Sequence, residues 1–314
     1  MTAAASQNVT TSRRYRWAIG FIAPVIGLEL VLRLLAPVLP APGPWLSAEY
    51  STMIRAAQEQ QARDARLDVL FVGSSISDAA IDPDQLREEH RISSFNAAGA
   101  FLSPVSAEQW LDQGLWEFEP TELIIGQPVW GTDFGGQADV LATAFSKLEE
   151  FRSQQRWFGW SELWNRRSQL RRPYETYSDI VISRLVTDSG HFTGYYDRLG
   201  EPLPPSEGGS FPGIADVQLV ALENIVTEAQ SRGIAVTLML EPGGCPPIYP
   251  RCGNAETEQQ AEAFYQALAE DLDVAYFSAR SFDAEPTWWA DGAHFNQAGT
   301  QAFTAFIGEW LASR

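Results

Sequence analysis

The segment Leu67–Pro83, LDVLFVGSSISDAAIDP, constrains this chain more than any other stretch. From Asp68 to Val72 it reads as a nearly continuous apolar run without polar alternation, the pattern of a strand buried on both faces. The run stops at Gly73-Ser74-Ser75. A buried strand that ends in a turn of small residues can lift one side chain above the edge of a sheet, where a hydroxyl can meet a base. Four further runs follow: ISSFN ending at Asn96, TELIIG from Thr121 to Gly126, IAVTLML ending before Glu241-Pro242, and DVAYF ending at Phe277.

Helical stretches lie between them. One opens at Asp82-Pro83, with Asp82 as N-cap. Others are Ser106–Glu117, Asp216–Arg232 closed by Gly233, and Glu256–Leu272, and a last helix follows His294. Buried strands alternating with helices predict an α/β fold, a three-layer parallel sheet with helices on both faces. Carboxyl ends of parallel strands converge at one edge. Ser75, Asn96 and Gly99, the Gln127 region and the Asp291/His294 loop are therefore expected in one cleft.

The chain of 314 residues is long enough for a large core, and 45% apolar with 20% charged residues marks it as globular. Its formal net charge of −18 argues against nucleic acid as a partner, since phosphate contacts need a basic face. Eleven tryptophans fit either a core or a surface for carbohydrate or lipid.

The N-terminus adds a second theme. A polar tail and Arg13, Arg14 and Arg16 precede an apolar run from Trp17 to Leu39. At 1.5 Å per residue, about 23 residues suffice to cross a bilayer as a helix. Glu29 and Arg33 interrupt the run but are spaced to pair on one face. The basic flank favours an N-inside orientation, leaving the rest extracytoplasmic. A cleaved signal peptide and a buried soluble helix are the rival readings. The expected organisation is a cytoplasmic tail (1–16), a single-pass transmembrane anchor (17–39), a spacer (40–66) and a domain (67–314) with a helical insertion at 140–182. Within that insertion, residues 151–172 carry six arginines among tryptophans and phenylalanines. They read either as an amphipathic helix packed on the sheet or as a platform at anionic lipid headgroups or an anionic polymer.

A serine hydroxyl needs a base to take its proton, and the base needs an orienting carboxylate. Asp291-Gly292-Ala293-His294 can hold both on one loop, and Ser75 is the candidate nucleophile. Of the other two histidines, His90 lies in the charged run EEHR and is expected on a solvated face, and His191 in a loop. Backbone N–H groups at Ser75 and Gly99 are candidate oxyanion donors. Cys245 and Cys252 flank a short proline-rich loop without other metal ligands; a disulfide and two free thiols both remain open. The chemistry calls for no metal and no organic cofactor.

In order and spacing these residues resemble the SGNH (GDSL-like) hydrolase superfamily, over roughly residues 67–311. Gly73-Ser74-Ser75 matches its first block, with Ser75 as nucleophile and Ser74 where Asp is common. Asn96-x-x-Gly99 is similar to the second block, whose glycine contributes an oxyanion N–H. Asp291-x-x-His294-x-Asn296-x-x-Gly299 is similar to the last. The resemblance implies a flavodoxin-like fold and a Ser75–His294–Asp291 triad. It departs at the third block, where Gly126-Gln127-Pro128-Val129-Trp130-Gly131-Thr132-Asp133 has no asparagine; Gln127 or Thr132 is the candidate substitute donor, and an oxyanion site of backbone N–H groups alone is the alternative. Asn96 and Trp130 are expected at the substrate. With the apolar N-terminus, the chain looks like the membrane-anchored envelope branch (DltD-like, AlgJ/AlgX-like). That branch implies an esterase or O-acyltransferase working on acyl esters of an envelope glycan or polymer, with a membrane acyltransferase as candidate partner. A catalytically weak protein that binds a glycan or an assembly partner, and a lipase-like enzyme, are the alternatives.

Overall fold

The computed structural model describes residues 20, 22–36, 39, 48–63, 66–100, 102–128, 160–166, 170, 184–199, 211–242 and 255–314. The chain divides into two units, Met1–Pro44 with Lys147–Ile180, and Trp45–Ser146 with Val181–Arg314. Trp130, Thr132, Cys245, Cys252 and most of the 140–182 insertion lie outside the described residues.

The larger unit is built on a five-stranded parallel sheet. Its strands are β1 (Val69–Val72), β2 (Ser94–Asn96), β3 (Glu122–Gln127), β4 (Ala235–Leu240) and β5 (Ala275–Ser278), in the order β2-β1-β3-β4-β5. The apolar runs are continuous because both faces of the sheet are covered. On one face Leu70, Val72, Leu123, Ile125 and Leu238 pack under helices α1 (Ala48–Arg63), α3 (Pro104–Leu111), α4 (Asp216–Ser231) and α5 (Ala255–Asp271). On the other, Phe71, Ile124 and Met239 meet Phe303 and Ile307 of the C-terminal helix α6 (Gln297–Ala312). The short helix α2 (Ser75–Ala80) lies on this second face, contributing Ala80.

The chain leaves β1 for β2 on one side and returns to β3 on the other. The order therefore reverses between β1 and β3, and the carboxyl ends at such a reversal are where open α/β sheets place their ligand sites. Val72 pairs with Ile125, which puts the turns after β1 and β3 side by side.

Three expectations need correction. The helix in the expected spacer belongs to the core: Tyr50 is 1% exposed and Met53 fully buried. Its polar residues cover only the outer face, and the apolar ones between them face the sheet. The stretch Ser106–Glu117 is not one helix. The helix ends at Leu111, and past Gly114, which adopts φ 107, the chain resumes as a 3-10 turn, Leu115–Phe118. His90 is not on a solvated face either. A π turn, Leu86–His90, ends in left-handed Arg91, and the imidazole lies against Gly308 of α6, where a Cβ would come within 2.3 Å of its ring.

In the smaller unit, residues 22–35 form a helix, and Glu162–Asn165 a short one. No helix among the described residues is long and apolar enough to cross a membrane.

Candidate active site

Gly73 ends β1, and Ser74 caps α2, its hydroxyl accepting from the Ile76 N–H at 3.2 Å. Ser75 is therefore the first residue of the helix. Between Val69 and Ile81 it alone is not buried. The turn thus sends one hydroxyl outward and buries its neighbours.

His294 arrives from the far end of the chain. The Ala290 N–H donates to the His294 carbonyl at 2.8 Å and the Asn296 N–H to the Trp288 carbonyl at 2.9 Å. These bonds close the Asp291–His294 loop into a tight bridge. Asn296 then caps α6 through its side-chain oxygen, taking the Ala298 and Gly299 N–H groups. Gly299 is required there, because a Cβ would lie 2.4 Å from the Trp288 carbonyl oxygen.

His294 Nε2 lies 2.9 Å from Ser75 Oγ. On the other side of the ring, Nδ1 is 2.9 and 3.0 Å from the two Asp291 carboxylate oxygens. Asp291 also accepts the Ala293 and His294 N–H groups at 2.8 and 2.9 Å. Partial burial pushes the Asp291 carboxyl upward, but the His294 hydrogen bond and charge, with the two backbone donors, outweigh it and hold the pKa at about 2. An ionised Asp291 keeps the proton on Nδ1 and leaves Nε2 bare toward the serine. The structure thus brings Ser75, His294 and Asp291 together.

A buried carboxylate lies beneath this turn. Glu241, just past the end of β4 and 1% exposed, accepts from the Ser74 N–H at 2.9 Å, the Ser74 hydroxyl at 2.7 Å and the Ser77 hydroxyl at 2.6 Å. Burial raises its pKa, against the pull of those hydroxyls and N–H groups. The fit explains two glycines. A Cβ on Gly73 would meet Ser77 Oγ at 2.7 Å, and one on Gly126 would meet it at 2.3 Å.

The residues 184–199 form one wall. The Tyr195 ring stacks on the His294 imidazole, with centroids 4.1 Å apart and planes 7° apart. This segment is bolted to the end of α2. The Phe192 N–H donates to the Asp78 carboxylate at 3.1 Å, and His191 Nδ1 donates to the Asp78 carbonyl at 2.7 Å. Burial lowers the His191 pKa, despite the nearby Asp82 and Asp84 charges. In the neutral ring Nε2 is then an acceptor for the Tyr196 hydroxyl at 2.8 Å. His191 lies in a loop, as expected, and is fully buried there as a structural post.

Two expected site residues serve elsewhere. Asn96 is fully buried, and its amide donates to the Ser77 carbonyl at 3.1 Å and the Ile81 carbonyl at 2.9 Å, while its oxygen accepts the Ala98 N–H. It ties down the end of α2 and does not face a substrate. The Gly99 N–H donates to the Gly73 carbonyl at 3.1 Å and is not directed at an oxyanion. Glycine is needed at 99 because a Cβ would meet the Tyr50 hydroxyl at 2.8 Å. Gln127 is 2% exposed at the end of β3, and its side-chain oxygen takes no hydrogen bond. The Ser75 N–H has no acceptor among the described residues and remains available for an oxyanion. No cluster of metal-ligating side chains occurs among the described residues.

Glu241 and Tyr195 were missed by sequence reasoning. Glu241 had a signal, a carboxylate directly after an uninterrupted buried strand. Tyr195 had none, because nothing local ties its loop to His294.

No protein-family model matches the chain, and no curated protein sequence matches it. Some solved structures are similar to it. A GDSL-like lipase from Bacteroides thetaiotaomicron is 14% identical, with a TM-score of 0.43, over 85% of this chain and 98% of that one. The lipase/acylhydrolase from Enterococcus faecalis is 13% identical, with a TM-score of 0.42, over 79% and 97%. The psychrotrophic esterase EstA from a Pseudoalteromonas species is 14% identical, with a TM-score of 0.40, over 78% and 98%.

Proposed function

We propose that this protein is a serine ester hydrolase or O-acyltransferase of the SGNH type. One observation carries the reading: Ser75 Oγ, His294 and Asp291 form an unbroken line of hydrogen-bonded contacts, at 2.9 Å and at 2.9 to 3.0 Å. In the first step the Ser75 oxygen bonds to the acyl carbon while His294 Nε2 takes the hydroxyl proton. The alkoxide leaves and collects that proton from His294, giving an acyl-Ser75 ester. In the second step His294 removes a proton from water or a sugar hydroxyl, whose oxygen attacks the ester carbon; the bond to Ser75 Oγ breaks, and His294 returns the proton to that oxygen. Asp291 holds the ring and balances the imidazolium charge. The Ser75 N–H faces the developing oxyanion, with the Gln127 amide as the candidate side-chain donor.

The apolar run Trp17–Leu39 behind Arg13, Arg14 and Arg16 supports a membrane anchor with the sheet domain extracytoplasmic. Such a placement makes an acylated envelope glycan or polymer the preferred substrate class and a membrane acyltransferase the candidate partner.

The test is p-nitrophenyl acetate turnover by the full chain in detergent, with Ser75→Ala and His294→Ala beside it. Both variants are expected to fall to background. Equal turnover in all three would remove the triad reading. The engaged Gly99 N–H supports a second reading, a weakly active protein that binds its glycan; failure of a fluorophosphonate to label Ser75 in folded protein would favour it.

A further inference from the structure

Glu29 stands in the middle of the apolar N-terminal run, yet its charge is fully answered. One carboxylate oxygen accepts from Arg33 Nε at 2.8 Å and from the Glu162 N–H at 3.0 Å. The other accepts from the Ser161 hydroxyl at 3.0 Å and the Leu163 N–H at 2.9 Å. Arg33 also donates to the Trp160 carbonyl. A carboxylate on the helix 22–35 therefore caps the first turn of a segment more than a hundred residues away. The turn itself, Trp160–Arg166, carries two charges, and they pair: Arg166 Nε lies 2.8 Å from Glu162.

Outside this polar knot the described residues of the unit are mostly apolar and exposed. All but three of the exposed large apolar side chains among the described residues belong to it, with Leu34 80% and Trp160 72% exposed. At 3.6 residues per turn the exposed Ile22, Leu28 and Leu34 point to three different sides of the helix rather than along one stripe. A helix apolar all round, with its few charges paired, suits a hydrocarbon surrounding and not water.

We propose that the turn Trp160–Arg166 enters the lipid bilayer beside helix 22–35, as a second embedded element held there by Glu29. This rests on the membrane-anchor reading above and goes beyond it. The occupant is lipid rather than a partner protein because the open surface surrounds the helix and because basic residues head it at Arg13, Arg14 and Arg16. The tryptophans suit the same setting, since indoles are apolar bodies that tolerate the region near headgroups. The docked turn also answers the cost of an ion in hydrocarbon: Glu29 receives its donors from the element it carries inward.

The experiment uses the full chain in nanodiscs of phosphatidylethanolamine and phosphatidylglycerol, with an apolar diazirine probe dissolved in the acyl chains. After photolysis, labelled peptides are mapped by mass spectrometry. Labelling of both the helix and Trp160–Arg166 well above the sheet domain is expected. In Glu29→Ala, labelling of Trp160–Arg166 should fall severalfold while the helix stays labelled, and Glu29→Gln, which can still accept the N–H groups, should keep most of it. A labelled helix with Trp160–Arg166 at background overturns the proposal and leaves the anchor standing. An unlabelled helix overturns both. Undiminished labelling in Glu29→Ala overturns the tie through Glu29. Ester turnover plays no part in the readout, so the triad reading stands or falls separately.

Discussion

The Thr300 hydroxyl donates to the Ala79 carbonyl at 2.7 Å, which joins the helix that follows His294 to the helix that begins at Ser75. Thr304 repeats the contact one turn on, donating to the Ala80 carbonyl at 3.2 Å and accepting the Asp82 N–H at 3.0 Å. The two halves of the triad are thus aligned by a helix pair rather than by loops. Thr300→Val should cost about 1 kcal/mol of stability and slow fluorophosphonate labelling of Ser75 by about tenfold. Thr300→Ser should restore both. Unchanged labelling in folded Thr300→Val would mean that the loop positions His294 without the helix.

The stack of Tyr195 on His294 covers one face of the imidazole and limits its rotation. An aromatic contact of this kind is worth about 1 kcal/mol, so Tyr195→Ala should lower kcat by about three- to tenfold. KM should move little, and Tyr195→Phe, which keeps the ring, should behave as wild type. Steady-state kinetics on a soluble ester separates the outcomes. A rise in KM with kcat unchanged would make Tyr195 a substrate contact.

Much of this arrangement was legible before any coordinates. LDVLFV and IAVTLML declared buried parallel strands because their apolar residues run nearly continuously, without the apolar/polar alternation of a half-exposed strand. Ser75 and the Asp291–His294 loop stood out as candidate partners because each is local, a turn at a strand end and two residues three apart, and the fold places them within hydrogen-bond distance. What failed was non-local. Asn96 and Gly99 sit where the resemblance puts site residues, but their hydrogen bonds go to the Ile81 and Gly73 carbonyls, which only the folded chain brings near. The helix Ala48–Arg63 read as a spacer because its mean character is polar, and its buried face carries only a few large side chains such as Tyr50 and Met53. Glu241 was visible as a residue but not as a partner of Ser74.

Asp291 predicts an acid limit. Its carboxyl is held at about 2 in the fold, against an ordinary value of 3.8. A depressed folded pKa stabilises the native state above the unfolded value, and the contribution disappears as pH falls through the folded one. Wild type should therefore lose its margin over Asp291→Asn between pH about 4 and about 2. Thermal melts of the two across that range test it. A gap that stays constant would show that Asp291 contributes no ionised contact. At neutral pH Asp291→Asn should also cut kcat by about a thousandfold or more, through loss of the correct His294 tautomer.

Glu241 predicts a split between shape and charge. Glutamine there can still accept from the Ser74 N–H and the Ser77 hydroxyl, so Glu241→Gln should label with fluorophosphonate within about threefold of wild type. Glu241→Leu strands the Ser74 and Ser77 donors and should label about a hundredfold more slowly per folded molecule. Circular dichroism fixes the folded fraction. Equal labelling in the leucine variant would reduce Glu241 to a packing residue.

Asn96 decides between the two roles available to it. Its amide bonds the Ser77 and Ile81 carbonyls in a site with no exposure. Asn96→Ala strands those buried acceptors, and one such loss costs about 1 to 3 kcal/mol. The melting temperature should fall accordingly, while KM for any ester stays where it was, because the side chain points into the fold beneath α2. Kinetics and melts on the same preparation make the comparison. A raised KM with an unchanged melting temperature would return Asn96 to the substrate and would mean that the end of α2 is held by Thr300, Thr304 and the bonds from His191 and Phe192 to Asp78.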